Sequence, residues 1–94
     1  MAIGDLTLLA NGTATGAWME WGGGQGLFTV EASWGGATIK LQFQTANGAV
    51  LDAGGDTTLT SNGGGRFFLP QSQIRVNVSG SPTGVYSFAH KFAI

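Results

Sequence analysis

One histidine, five carboxylates and no cysteine make up most of the acid, base and metal-ligand chemistry available to this sequence. A general base needs an oriented partner and a pocket. Nothing near His90 in the sequence supplies either, and it falls in phase with Tyr86, Phe88 and Phe92, so it reads as a packing or interface histidine. The acids Asp5, Glu20, Glu31, Asp52 and Asp56 are single and dispersed. Asp52 and Asp56 flank Gly54-Gly55. Calcium draws several oxygen ligands from such loops, but two carboxylates are too few, and the stretch reads as an Asp-and-Gly turn. The run Gly22-Gly23-Gly24-Gln25-Gly26 suggests a phosphate cradle at first sight. It lacks the Lys-Ser/Thr of a P-loop, does not match G-x-G-x-x-G, and leads into a strand instead of a helix. It reads as a mobile connection or as a place where backbones approach closely. Trp18 and Trp21 beside it are residues favoured where one side is apolar and the other wet, at subunit contacts and sugar sites, and they would serve equally to cap a thin core. The sequence therefore predicts no catalytic centre, no metal and no cofactor.

The elements that would position these residues are strands. Leu27–Trp34 and Ala37–Gln44 alternate strictly on either side of Gly35-Gly36, the pattern of a β-hairpin closed by a two-residue turn. Counting outward sets Trp34 against Ala37, Ala32 against Ile39, Val30 against Leu41 and Phe28 against Phe43, all apolar. The other face sets Ser33 against Thr38, Glu31 against Lys40 and Thr29 against Gln42, which pairs opposite charges. A one-residue slip of one strand would set apolar residues against polar ones throughout.

Around this predicted hairpin, Leu6–Leu8 reads as a first strand ended by the turn pair Asn11-Gly12, and Ala17–Trp21 as a second. Asn47-Gly48 makes a turn into Ala49–Leu51. The threonine-rich Thr57–Thr60 favours a strand, as do Arg66–Leu69, stopped by Pro70, and Gln73–Val78, with Ile74, Val76 and Val78 inward. The last strand, Val85–Phe92, puts Tyr86, Phe88 and Phe92 on one face. No window shows helical periodicity with caps. About eight short strands at this spacing predict an all-β fold: a single antiparallel β-sandwich of jelly-roll or immunoglobulin-like type. The connections are too short for crossover helices, which favours antiparallel pairing.

Composition bounds the rest. Ninety-four residues make one domain with a thin core, 17 glycines raise the entropy lost on folding, and no disulfide compensates. Only 10% of residues are charged, against about 25% in ordinary domains. Such a surface invites association. The net charge is −1, and Lys40, Arg66, Arg75 and Lys91 stand singly, which excludes the clustered cations of a nucleic-acid binder. No apolar run approaches the roughly 20 residues of a membrane span. Met1–Ala10 lacks a basic segment ahead of an apolar one, so no secretory leader is expected, and Asn11-Gly12-Thr13 and Asn77-Val78-Ser79 read as coincidental acceptor patterns.

The order of motifs, from the glycine-flanked Leu27–Gln42 through Asn47-Gly48, Thr57–Thr60, Phe67–Pro70 and Ile74–Gly80 to Gly84-Val85-Tyr86, resembles small all-β virion proteins of tailed bacteriophages. The resemblance covers roughly residues 25 to 90. It implies a non-enzymatic capsid decoration (cement) protein on the virion surface, made in the host cytoplasm, that binds the major capsid protein, often as a homo-trimer between capsomers. It transfers no catalytic residue. Residues 1–24 fit less well and are expected to form an arm or edge strand, with the sandwich domain over 25–94. The residues expected at contacts are Trp18, Met19, Trp21, His90, Phe92 and Ile94. The alternative reading is a carbohydrate- or receptor-binding module of a tail or head fibre, its exposed aromatics stacking on sugar faces.

Overall fold

The computed structural model describes residues 6–91. Nine strands follow one another along the chain: β1 (Leu6–Gly12), β2 (Met19–Trp21), β3 (Gly24–Ser33), β4 (Thr38–Gln44), β5 (Val50–Asp52), β6 (Thr58–Leu59), β7 (Gly63–Leu69), β8 (Ser72–Ser79) and β9 (Thr83–Lys91). The only helical turn among the described residues is a three-residue 3-10 turn, η1 (Gly55–Thr57), between β5 and β6. All pairing is antiparallel. One sheet, A, has the order β1-β9-β3-β7; the other, B, has β2-β8-β4-β5, with β6 also on β4. β5 and β6 lie end to end along β4, against Gln42–Gln44 and Ile39–Lys40 respectively, so they form one strand interrupted by η1. Counted that way there are eight strands, and every connection but the β4–β5 turn crosses from one sheet to the other. This is the strand order of a jelly roll, two sheets that face each other over one core.

The predicted hairpin is not formed. Its turn is: Gly35 and Gly36 both take positive φ (54° and 82°), and the Ala37 N–H donates to the Trp34 carbonyl at 2.9 Å. The strands on either side then part. β3 is flanked by β9 and β7, and β4 by β8 and β5/β6, so neither has an edge left for the other. The alternation is satisfied differently from the expected register. Phe28 and Val30 point into the core from sheet A, and Ile39 and Leu41 point into it from sheet B, all 0% exposed. Alternation specifies which residues share a face; it does not specify which strand lies alongside. Apolar residues expected to sit side by side instead meet across the roughly 10 Å between layers. Glu31 and Lys40 consequently stand on opposite outer faces, and Lys40 pairs with Asp52 at 3.1 Å.

Two further corrections concern local elements. The first strand runs past Leu8 and takes in Asn11-Gly12 as its last two residues instead of turning before them; Asn11 takes φ 51°, and the register against β9 shifts between Leu9 and Gly12. The glycine run at 22 to 26 is ordered by close approach, the second of the two readings. At Gly26 a Cβ would fall 2.6 Å from the Phe67 ring and 2.8 Å from the Trp21 indole, so this glycine makes room for the two largest aromatics of the core. Those rings pack with centroids 4.9 Å apart, tilted by 55°. Leu8, Leu69, Ile74, Val76, Val85 and Ala89 complete the buried layer.

Candidate interaction face

A sandwich presents two outer faces, and here they differ in chemistry. On sheet B a row of outward polar residues is bonded together, with Val50, 42% exposed, beside Gln44 at its edge. The Arg75 Nε–H donates to Gln42 Oε1 at 3.0 Å, the Gln42 amide donates to Asp52 Oδ1 at 3.0 Å, and the Lys40 ammonium donates to Asp52 Oδ2 at 3.1 Å. At the other end of this row, the Arg75 guanidinium lies 4.5 Å from the centre of the Trp18 ring. Hydrogen bonds from Gln42 and then Lys40 hold the Asp52 carboxyl below its ordinary range, because both favour the ionised form. The row is cross-strand complementarity in the usual sense: each polar group is matched by a neighbour one strand over. At its margin an open groove of about 360 Å³ is lined by Glu20, Gln44, Thr45, Gln71, Ser72 and Gln73.

Sheet A is the reverse. Its inward residues are Gly26, Phe28 and Val30 on β3, Gly65, Phe67 and Leu69 on β7, and Val85, Ser87 and Ala89 on β9. The opposite face therefore carries Gln25, Leu27, Thr29 and Glu31, then Arg66 and Phe68, then Tyr86, Phe88 and His90. The register sets Phe88 beside Thr29, His90 beside Leu27, Arg66 beside Leu27, Tyr86 beside Glu31 and Phe68 beside Gln25. Phe68 is 74% exposed and Tyr86 44%. Phe88 and His90 stack with ring centres 5.7 Å apart, and His90 Nε2 shares a 3.2 Å hydrogen bond with the Thr29 hydroxyl. Aromatic side chains with polar tips and few charges are the composition of an interface core.

Of the residues expected at contacts, the structure brings only His90 onto this face. Trp21 is 1% exposed and belongs to the core; its indole Nε1 has no hydrogen-bond partner among the described residues, and the Lys91 ammonium sits 5.8 Å from its ring centre. A partner cannot reach it. Trp18 is half-buried against Arg75 on sheet B, and Met19 is half-buried at the β2 edge, packed on the core. Phe92 and Ile94 lie outside the described residues.

Leu27, Phe68, Tyr86 and Phe88 were not among the expected contacts. Their signal is phase: in Phe67-Phe68 one ring must face out, and in Tyr86–His90 the aromatics alternate with Ser87 and Ala89, which take the inner side. Large rings are read as inward by default, but that rule runs one way only.

Chemistry in the reactive sense finds little support in the geometry. His90 spends its described contacts on a hydroxyl and a phenyl ring. No group of three or more His, Asp or Glu side chains able to hold a metal ion occurs among the described residues. No helix there is long and apolar enough to cross a membrane. Comparison with protein-family models, with curated proteins and with solved structures finds no match to this chain, so its role is argued from these two faces alone.

Proposed function

We propose that this protein is a capsid decoration protein of a tailed bacteriophage, binding the major capsid protein through the outer face of sheet A. The observation that carries the reading is the contrast between the two faces. One carries a central row of polar residues bonded to one another, with its exposed apolar side chains, Val50 and Leu51, confined to the short edge strand β5; the other exposes the aromatic rings of Phe68 and Tyr86 on a four-stranded surface. Large exposed aromatic side chains interspersed with a few polar and charged ones make the composition of a contact site. Each copy makes a modest contact, and many copies on one lattice, or several joined together, gain by effective concentration. Jelly rolls serve both viral shells and lectins, so the fold is compatible with the role without choosing it.

The test is to label the protein on virions of the phage that encodes it. Hundreds of copies spread over the shell support decoration; a few copies at one vertex refute it. Tyr86→Ala, on an interior strand, should weaken shell binding by about 30-fold or more, the cost of losing about 2 kcal/mol at a central contact, while the circular dichroism spectrum stays that of the parent.

The groove on sheet B favours a second reading. Its amides, hydroxyls and one carboxylate suit a neutral polyhydroxyl ligand, with Trp18 on the same face. A fibre-borne carbohydrate-binding module would show shifts of the Gln44 and Gln73 side-chain amide resonances on titration with neutral oligosaccharides, and no dependence on Tyr86.

A further inference from the structure

Each sheet has two lateral edges, and three of the four are blunted. The register of β1 against β9 shifts twice within seven residues. β2 is three residues long, and β5 and β6, of three and two residues, are parted by η1. The fourth edge, β7, runs unbroken through seven residues, in register with β3 from Gly24↔Leu69 to Val30↔Gly63. Arg66 is its one charged side chain; it has no lysine, no bulge, and no proline until Pro70 beyond its end. η1 meets it from the core side, at Gly65. An edge of this length presents a row of backbone donors and acceptors to any strand that can lie alongside.

We propose that a second copy of this chain pairs its own β7 with this edge, antiparallel, about a two-fold axis at Phe67. The side chains choose the occupant and the register. Directly opposed residues in an antiparallel pair share a face, so the axis can fall on Arg66, Phe67 or Phe68. On Arg66 it would oppose two guanidinium groups, which repel. On Phe68 it would bring Arg66 against Pro70 of the partner subunit, past the end of the strand, where proline has no N–H to give. On Phe67 it sets Arg66 against the partner's Phe68, and Phe68 against the partner's Arg66. That gives two cation–π contacts related by symmetry, while the two Phe67 rings adjoin on the inner side. A two-fold contact requires a patch complementary to itself, and the Arg66-Phe67-Phe68 alternation is such a patch. Arg66 and Phe68 are both exposed, and a guanidinium stacks with its face while its edge remains free to hydrogen-bond. The two outer faces then join into one eight-stranded surface, which doubles the aromatic area offered to a third body. The inference rests on the edge of the sheet, independently of what its face binds.

Light scattering on the eluting protein, over the micromolar range, should show a mass rising from 9.6 kDa to twice that value. Phe68→Arg sets arginine against Arg66 of the partner subunit and should weaken association at least about tenfold. Exchanging the two residues, Arg66→Phe with Phe68→Arg, rebuilds the same opposition and should restore it. In the unsubstituted protein, the Arg66 to Leu69 segment should gain amide protection with concentration. A monomer throughout, a trimeric mass, a dimer indifferent to Phe68→Arg, a double exchange no better than the single change, or unaltered protection would each overturn the proposal. A monomer that still coats the shell defeats the edge pairing and leaves decoration standing; a dimer that binds no shell does the opposite.

Discussion

Gly65→Ala should be among the most damaging single-methyl changes available to this protein. Gly65 is the inward residue of β7 where η1 closes the end of the core, and the Asp56 carbonyl oxygen occupies the place a Cβ would take. The obstacle is backbone, in a turn anchored by the Thr57 N–H and hydroxyl, which donate to the Gly54 carbonyl at 3.3 and 3.1 Å. It cannot swing aside as a flexible side chain would. Overpacking costs typically about 1–3 kcal/mol and more when backbone must move, so about 3 kcal/mol is a fair expectation. Domains of this size are stable by about 5–15 kcal/mol, and one with so thin a core belongs toward the lower end. The loss is therefore a large share of the whole, equivalent to a fall in Tm of ~12–24 °C. Gly63→Ala is the control. It lies on the same strand, takes no positive φ, and its Cβ would come no nearer than 3.9 Å to another atom, so the change should fall within about 0.5 kcal/mol of the parent. Urea titration followed by tryptophan emission, to which the buried Trp21 contributes, measures both. Equal midpoints for the two variants would refute the clamp of η1 on β7.

Other changes test the corrected topology and the polar face. Asn62 Oδ1 accepts from the Ala32 N–H at 3.0 Å and from the Trp34 indole at 2.7 Å, tying the turn between the sheets to the start of β7. Asn62→Ala should cost about 1–2 kcal/mol by urea titration, Trp34→Phe alone should cost part of that, and the double change should cost less than the sum, since the two share one bond. The carboxyl of Asp52, held below its ordinary 3.8, contributes stability that is complete above that value and is lost as pH falls through the lower folded value. The side chain is 49% exposed, so the effect is under about 1 kcal/mol. Asp52→Asn should be slightly less stable than the parent at neutral pH, with the gap closing in strong acid; a gap that widens there would contradict the assignment.

Much of the fold is written in local pattern. The strand segments, the antiparallel sandwich, the left-handed pair at Gly35-Gly36 and the inward set Ile74, Val76 and Val78 all follow from alternation and turn chemistry. What alternation omits is adjacency. Phe28 and Val30 against Ile39 and Leu41 fit a hairpin and a two-layer core equally well, and the choice is made by β9 and β8, far along the chain from β3 and β4, which occupy the edges a hairpin would need. The interaction face was harder to read for a related reason. Trp21 and Trp18 are the same residue type three positions apart, yet Trp21 points into the core from β2 while Trp18, just before that strand begins, packs against Arg75. Phe68 and Tyr86 face outward because strand alternation gives the inner positions beside them to Phe67 and Leu69 on β7 and to Val85 and Ser87 on β9.

The position of β9 carries a consequence for how the molecule is made. It is the last strand of the chain, and it lies inside its sheet, with β1 on one side and β3 on the other. Until residues 83–91 have left the ribosome, the first and third strands have nothing to bridge them, and a nascent chain carries the apolar faces of both without a completed layer. Native pairing here joins segments distant along the chain, which makes for slow, late, all-at-once folding. Truncation within residues 83–91 should thus yield aggregate instead of a trimmed but working protein.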